Sequence, residues 1–318
     1  MSEAAPAMKS GADTTRWIHP ASLMSIRNLE LRARVVVEGF WNGLHRSPYH
    51  GFSVEFTEYR QYTPGDDPRY LDWKLYARSD RYFIKKFEDE TNLRCNLLVD
   101  GSRSMTYGST GWSKAEYAHT LAATLAFFLQ QQGDAVGVMT FDDQIRDYLP
   151  ARNRPGHLRQ LMLLLEKPAG GRATDISAPL RRISEIVSKR GMMVLVSDFL
   201  APIETLEANL ALIGARGHDT VAFQVLDPAE LDFNFDKPTL FEDMESGRDL
   251  YLDPVKARAG YLEKLKVHND AVRSTCEKLG VAFQSLRTDQ PLELALYDFM
   301  RNRGQGGRIV RQVRRGSA

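Results

Sequence analysis

The sequence predicts an α/β protein built on a doubly wound, mostly parallel sheet, with an N-terminal helix and a small β-rich segment packed on it. Three observations carry this. From residue 93 onward, short apolar runs alternate with longer stretches of helical period, the pattern of parallel strands joined by crossover helices. Two of those runs, LRCNLLVD and MMVLVSD, are apolar almost throughout, as strands buried on both faces must be, and each ends in an aspartate. The 318 residues, 43% of them apolar, suffice for a full core in one large domain or two modest ones.

Taken in order, residues 1–20 are small and polar without a continuous apolar run, which predicts a mobile tail and no signal peptide. Residues 21–92 form an N-terminal segment. From Ser22, the expected N-cap, Leu23, Ile26, Leu29, Val36 and Phe40 recur at near-helical spacing up to Gly43, which predicts one packing helix. In 51–92, FSVEFTEYRQY alternates like a strand, PGDDP makes a turn and YFIKKFEDE a further strand. Few of these residues could build a core of their own, so the segment is expected to lie against the next domain.

That domain spans 93–300. Strands are expected at LRCNLLVD, AVGVMTF, IRDYLP, MMVLVSD, TVAFQVL and VAFQSLR, with IRDYLP pairing back on AVGVMTF around the Asp142, Asp143 turn. Helices are expected over 114–132, 157–166, 178–189, 203–214, 255–279 and 292–300, and a hairpin in LFEDMESGRDLYLD around Ser246 and Gly247. Residues 301–318 hold six Arg and no acid. Such a tail could touch RNA, anionic lipid or an acidic protein surface, or be a solvated end; it is short and lacks interleaved aromatic residues, which favours the last.

Composition narrows the function. A net charge of +1 gives no global field toward nucleic acid or anionic lipid, so no nucleic-acid partner is expected. Two cysteines, Cys95 and Cys276, sit alone in apolar segments, which suits packing thiols in a reducing compartment and points to the cytoplasm. LAATLAFFL is interrupted by Thr and far shorter than the about 20 residues a membrane span needs, so no membrane insertion is expected. Neither G-x-x-x-x-G-K-[ST] nor G-x-G-x-x-G after a strand is present, so no nucleotide is expected on this chain. No G-x-S-x-G elbow surrounds Ser102, and the seven histidines are scattered, which leaves no candidate catalytic residue.

The strongest local signal is Asp100-Gly101-Ser102-Arg103-Ser104, placed directly after an apolar strand. In a doubly wound sheet, ligands bind beyond the carboxyl ends of strands where the winding reverses. Hydroxyl and carboxylate oxygens are hard donors that suit Mg²⁺ or Mn²⁺. Two later loops offer the remaining oxygens: GGRATD presents Thr174 and MMVLVSD presents Asp198. If the strand that carries Asp198 neighbours the one that carries Asp100, the five side chains converge on one ion.

The DGSRS, GGRATD and SDF loops resemble the metal-ion-dependent adhesion site of von Willebrand factor A domains, over roughly residues 93–226. The resemblance implies Ser102, Ser104 and Thr174 as direct ligands, with Asp100 and Asp198 binding directly or through water. Two departures stand out: Arg172 and Ala173 separate the glycines from Thr174, and Phe199 follows Asp198 where glycine is commoner. A longer stretch, RSPYHGFSVEFTEYRQYTPGDDPRYLDWKLYARSDRYFIKKFEDET running into DGSRS, is similar to the signature of the domain of unknown function 58 family, von Willebrand factor A-like proteins often encoded beside MoxR-type AAA+ ATPases. That resemblance implies a bacterial or archaeal adaptor or chaperone-like partner of such an ATPase, of the kind without membrane helices.

The expected function is therefore non-enzymatic: the ion keeps one coordination position open, and an acidic side chain of a protein partner fills it. The rival is a metal-assisted hydrolase using a metal-bound water, which needs a base beside the open position; the sequence names none. Arg69, Asp72 and Arg78, with Trp73 and Tyr76, could be an ion-pair network that pins the N-terminal segment to the sheet or a docking face for the ATPase. The sequence leaves both open.

Overall fold

The computed structural model describes residues 17–46, 58–61, 83–86, 93–170, 177–242 and 247–300. The chain divides into two compact units, Arg46–Asn92 and the remainder, Met1–His45 with Leu93–Ala318. In the smaller unit, strands β1 (Glu58–Gln61) and β2 (Phe83–Lys86) pair antiparallel, Glu58 opposite Lys86 and Gln61 opposite Phe83. The PGDDP turn and the Arg69, Asp72, Arg78, Trp73 and Tyr76 cluster lie outside the described residues, as do most of 1–20 and all of 301–318.

The larger unit opens with two helices where the sequence predicts one. Helix α1 (Pro20–Met24) ends before α2 (Leu29–Arg46) begins, and Ser22, the expected N-cap, lies inside α1. His19 caps α1, while the Asn28 side chain accepts the Leu31 N–H at 2.7 Å and starts α2. The break is held from within: Arg32 donates to the Ile26 carbonyl at 2.7 Å and to the Met24 carbonyl at 3.3 Å, which occupies acceptors a continuous helix would have used itself. The apolar period survives the break because Leu23, Leu29, Val36 and Phe40 still face inward.

The six strands of the main sheet are β3 (Arg94–Asp100), β4 (Ala135–Phe141), β5 (Ile145–Arg152), β6 (Met192–Ser197), β7 (Asp219–Leu226) and β10 (Ala282–Arg287). Their spatial order is β10-β7-β6-β3-β4-β5, all parallel except β5, which returns antiparallel on β4 as the Asp142, Asp143 turn predicts. The chain builds outward from β3 to β5, then crosses back and builds the other way from β6. The winding reversal therefore falls between β3 and β6.

Both faces of the sheet are covered. Cys95, Leu97 and Val99 join one cluster with Val194, Val196, Phe223 and Val225, and Leu98 joins the other with Met139, Met193, Leu195 and Ala222, the two-residue alternation of a strand. Helix α3 (Lys114–Gln131) starts at a capping box, Ser113 with Glu116, and is buried on nearly every side because α2 covers its outer face. Its Phe128 meets Phe40 edge-on at 6.1 Å and stacks with Trp41 at 5.7 Å.

Helices α4 (His157–Leu165), α5 (Ser177–Ile186) and α6 (Ile203–Ala215) sit near their predicted places, α5 ending three residues short of its expected Lys189. A short helix, α7 (Pro228–Asp232), is absent from the sequence-based expectation; Asp227 and Glu230 form its capping box. Strands β8 (Thr239–Glu242) and β9 (Asp249–Leu252) make the predicted hairpin, followed by α8 (Pro254–Lys278) and a final helix α9 over 292–300. No helix among the described residues is long and apolar enough to cross a membrane.

Candidate functional site

Asp100 is the last residue of β3, and Asp198 follows the last residue of the neighbouring β6, so both carboxylates stand at the reversal crevice. The loop after β3 is fixed from three sides. The Gly101 N–H donates to the Phe141 carbonyl at 2.7 Å, the Ser102 N–H donates to Asp100 Oδ1 at 2.8 Å, and the Met105 N–H returns to the Ser102 carbonyl at 3.1 Å. This opens a 3₁₀ turn, Arg103–Thr106, anchored by the fully buried Met105. Ser102 and Ser104 consequently point the same way, their Oγ atoms 3.2 Å apart.

Asp198 sits on an equally constrained loop. Its Oδ1 accepts the Leu200 N–H at 3.1 Å, and its backbone carbonyl accepts from Gln224 Nε2 at 3.2 Å. Phe199 has φ +55°, a left-handed conformation costing a non-glycine residue about 1–2 kcal/mol. That angle explains why glycine would suit this position. Here the phenyl ring is buried and the Phe199 carbonyl accepts from His268 Nε2 on α8 at 2.8 Å, interactions that hold the backbone in place.

Of the five residues the sequence singles out, Asp100, Ser102, Ser104 and Asp198 are buried together at this corner, while Thr174 lies outside the described residues. Three further groups belong to the corner. Ser197 donates its hydroxyl to Asp100 Oδ2 at 2.5 Å. Lys114, wholly buried, donates from Nζ to Asp198 Oδ2 at 2.9 Å and to Glu230 Oε1 at 2.6 Å. Glu230 in turn accepts the Asp227 N–H at 2.9 Å. Both missed charges had a trace in the sequence: Lys114 occupies the first turn of a helix, where a cation runs against the dipole, and Asp227-Pro-Ala-Glu230 is a capping-box pattern.

Charge decides what such a corner can accept. Burial first, and then the Asp198 carboxylate, push the Asp100 carboxyl up to about 6, against the hydrogen bonds from Ser197 and Ser102. Burial disfavours the charged form of Lys114, but Asp198 and Glu230 outweigh it and hold the ammonium protonated, its pKa raised. Burial raises Glu230 as well, in spite of Lys114. Asp198 and Glu230 thus share one ammonium while Asp100 stands beside Asp198 with neutral donors only, an excess of carboxylate beside two inward-facing hydroxyls. Among the described residues no group of three or more His, Cys, Asp or Glu is arranged to hold a metal. Two carboxylates and two serine oxygens are hard donors, and the residues present fit a hard divalent cation such as Mg²⁺ or Mn²⁺.

The Asp100 environment has a measurable consequence. Its folded value of about 6 lies above its ordinary 3.8, so the native state holds the proton more tightly than the unfolded chain. The stability it contributes is present below pH 3.8 and is lost as pH rises to 6. The difference corresponds to on the order of 3 kcal/mol. In EDTA, Asp100→Asn should therefore gain on the wild type by about that much between pH 4 and pH 7.5 in urea unfolding. A difference between the two proteins that does not move with pH contradicts the assignment.

A family model described as "Protein of unknown function DUF58" matches residues 58–271, two-thirds of the sequence. The chain belongs to the DUF58 family. Among its relatives, the uncharacterized protein Rv1480 of Mycobacterium tuberculosis is 29% identical over 306 residues, covering 91% of this chain and 95% of that protein. An uncharacterized protein of Mycobacterium avium is also 29% identical, over 157 residues, covering 49% of this chain and 90% of that one. Solved structures similar to this DUF58 chain include an aerotolerance-related membrane protein from Bacteroides fragilis, at TM-score 0.44 and 15% identity, over 67% of this chain and 99% of the other. The SpRpn10 VWA domain aligns at TM-score 0.37 and 13% identity, over 63% and 92%. These are distant likenesses.

Proposed function

We propose that this DUF58 chain is a non-enzymatic interaction module of the cytoplasm that binds Mg²⁺ or Mn²⁺ through Asp100, Ser102, Ser104, Thr174 and Asp198, and that it grips a MoxR-type AAA+ ATPase as adaptor or chaperone-like partner. The observation that carries the metal reading is the buried excess of carboxylate at the reversal crevice, beside two hydroxyls 3.2 Å apart. A bound divalent ion would supply a positive centre with a free position for an acidic side chain. The chain's own residues do the rest. Ser102 and Ser104 face inward because the 3₁₀ turn sets them so, Ser197 and the Ser102 N–H orient Asp100, and Lys114 and the Leu200 N–H orient Asp198. Recognition of a carboxylate at such a site is selective because an uncharged side chain cannot offset the desolvated charge.

The hydrolase reading needs a base beside the ion's open position, and Lys114 does not supply one. The amine nearest Asp198, Lys114, is held protonated by two carboxylates. The ATPase partnership rests on the resemblance of the GDDPRYLDWKLYARSD signature to proteins encoded beside such ATPases.

The test is a pull-down with the MoxR-type ATPase of the same organism in Mg²⁺, in EDTA and with Thr174→Ala, all below the melting transition. A bridging ion costs affinity while the protein is still folded, whereas an ion that only stiffens the fold lowers thermal stability first. The expected result is a complex in Mg²⁺ that weakens in the other two conditions. No complex in any nucleotide state would sink the partner; a complex indifferent to metal would keep the partner and reject the grip.

A further inference from the structure

Lys114 is an unusual choice for its position. It is the first residue of α3, where the exposed N–H groups favour an anion, and its side chain is fully buried at a cost that only paired charge can offset. Its ammonium reaches past the helix end to Asp198 Oδ2 at 2.9 Å and Glu230 Oε1 at 2.6 Å. With the Leu200 N–H on Oδ1, both Asp198 oxygens already have a donor; both Asp100 oxygens do too, from the Ser102 N–H and the Ser197 hydroxyl, but those donors are neutral, whereas one of the Asp198 donors is a full positive charge. Asp198 is therefore the member of the proposed ligand set that is ion-paired to a cation of the chain itself.

We infer that Lys114 is a tethered counter-cation that sets the affinity of the divalent site: it competes for Asp198, keeps that carboxylate from binding the ion directly, and leaves the ion weakly held and exchangeable. This deepens the proposed metal reading and rests on it. Two terms act in the same direction. The ammonium repels a divalent ion a few ångströms away, and it occupies a lone pair the ion would use. Glu230 acts in the opposite sense: it draws Lys114 off Asp198, so a neutral residue there commits the ammonium to Asp198 alone.

The test is Mg²⁺ titration by calorimetry on four full-length proteins: wild type, Lys114→Met, Glu230→Gln and the Lys114→Met/Glu230→Gln double variant, with Asp100→Ala/Ser102→Ala as control. Lys114→Met should bind Mg²⁺ at least about tenfold more tightly than the wild type. Glu230→Gln should bind more weakly than the wild type, and the double variant, which removes both partners and guards against a folding defect, should again bind more tightly. Affinity that is unchanged or lower in both proteins lacking Lys114 overturns the inference and makes Lys114 a structural clamp. The control separates the two claims. Binding that survives Asp100→Ala/Ser102→Ala refutes the metal site itself, while binding that depends on Asp100 and Ser102 but ignores Lys114 refutes only the counter-cation. If the wild type shows no binding, Lys114→Met must still create it, through Asp100 and Ser102, for the inference to stand.

Discussion

In EDTA, Lys114→Met should lower the unfolding free energy by about 3–5 kcal/mol, because removing one partner of a buried ion pair leaves the others as uncompensated charge. Asp198 is fully buried and the Glu230 side chain is 17% exposed, and neither has another cation partner among the described residues. Methionine preserves the length and apolar stem of lysine, so the loss is electrostatic and not a packing defect. Relief of the cation at the helix N-terminus returns less than about 1 kcal/mol, too little to offset it. Saturating Mg²⁺ should restore part of the loss by binding only the folded state. Urea unfolding at pH 7.5, with and without Mg²⁺, measures both. A loss below about 1 kcal/mol would mean that water already solvates the Asp198 and Glu230 carboxylates.

Phe128→Ala should cost about 3–5 kcal/mol, the range for truncating a fully buried phenylalanine. Phe128 is 0% exposed, and its ring faces Phe40 and Trp41 across the seam between α3 and α2. The substitution leaves a cavity at that seam which two large aromatic rings fill only by moving, so α2 should loosen before the sheet does. Hydrogen exchange should accordingly speed up within 29–46 more than within β3. Uniform acceleration, or a loss below about 1 kcal/mol, would show that α2 does not depend on this contact.

What the sequence discloses and what it hides follows from the range of each interaction. Strand ends and the Asp100 and Asp198 positions are legible because a strand buried on both faces must be apolar throughout, so a terminal aspartate stands out in LRCNLLVD and MMVLVSD. Their adjacency is legible only as a condition, since strand order in a doubly wound sheet is set by crossovers and not by local pattern; the β3 and β6 pairing meets that condition. The break between α1 and α2 is hidden because its cause, the Arg32 guanidinium on two carbonyls, does not disturb the apolar period. Lys114 is hidden for a related reason. A lysine at a helix start is ordinarily solvated, and only the carboxylates at Asp198 and Glu230, 84 and 116 residues away in sequence, make it a buried ion-pair centre.

The most direct test of the central claim is calorimetric titration of Mg²⁺ and Mn²⁺ into the wild type and into Asp100→Ala/Ser102→Ala at pH 7.5. At that pH Asp100, held at about 6, is ionised and able to take a cation. The substituted oxygens lie at a strand end and in the loop that follows it, so their loss should abolish binding while circular dichroism stays as in the wild type. Unchanged metal affinity in the double variant, with an unchanged spectrum, would contradict a divalent site at this crevice.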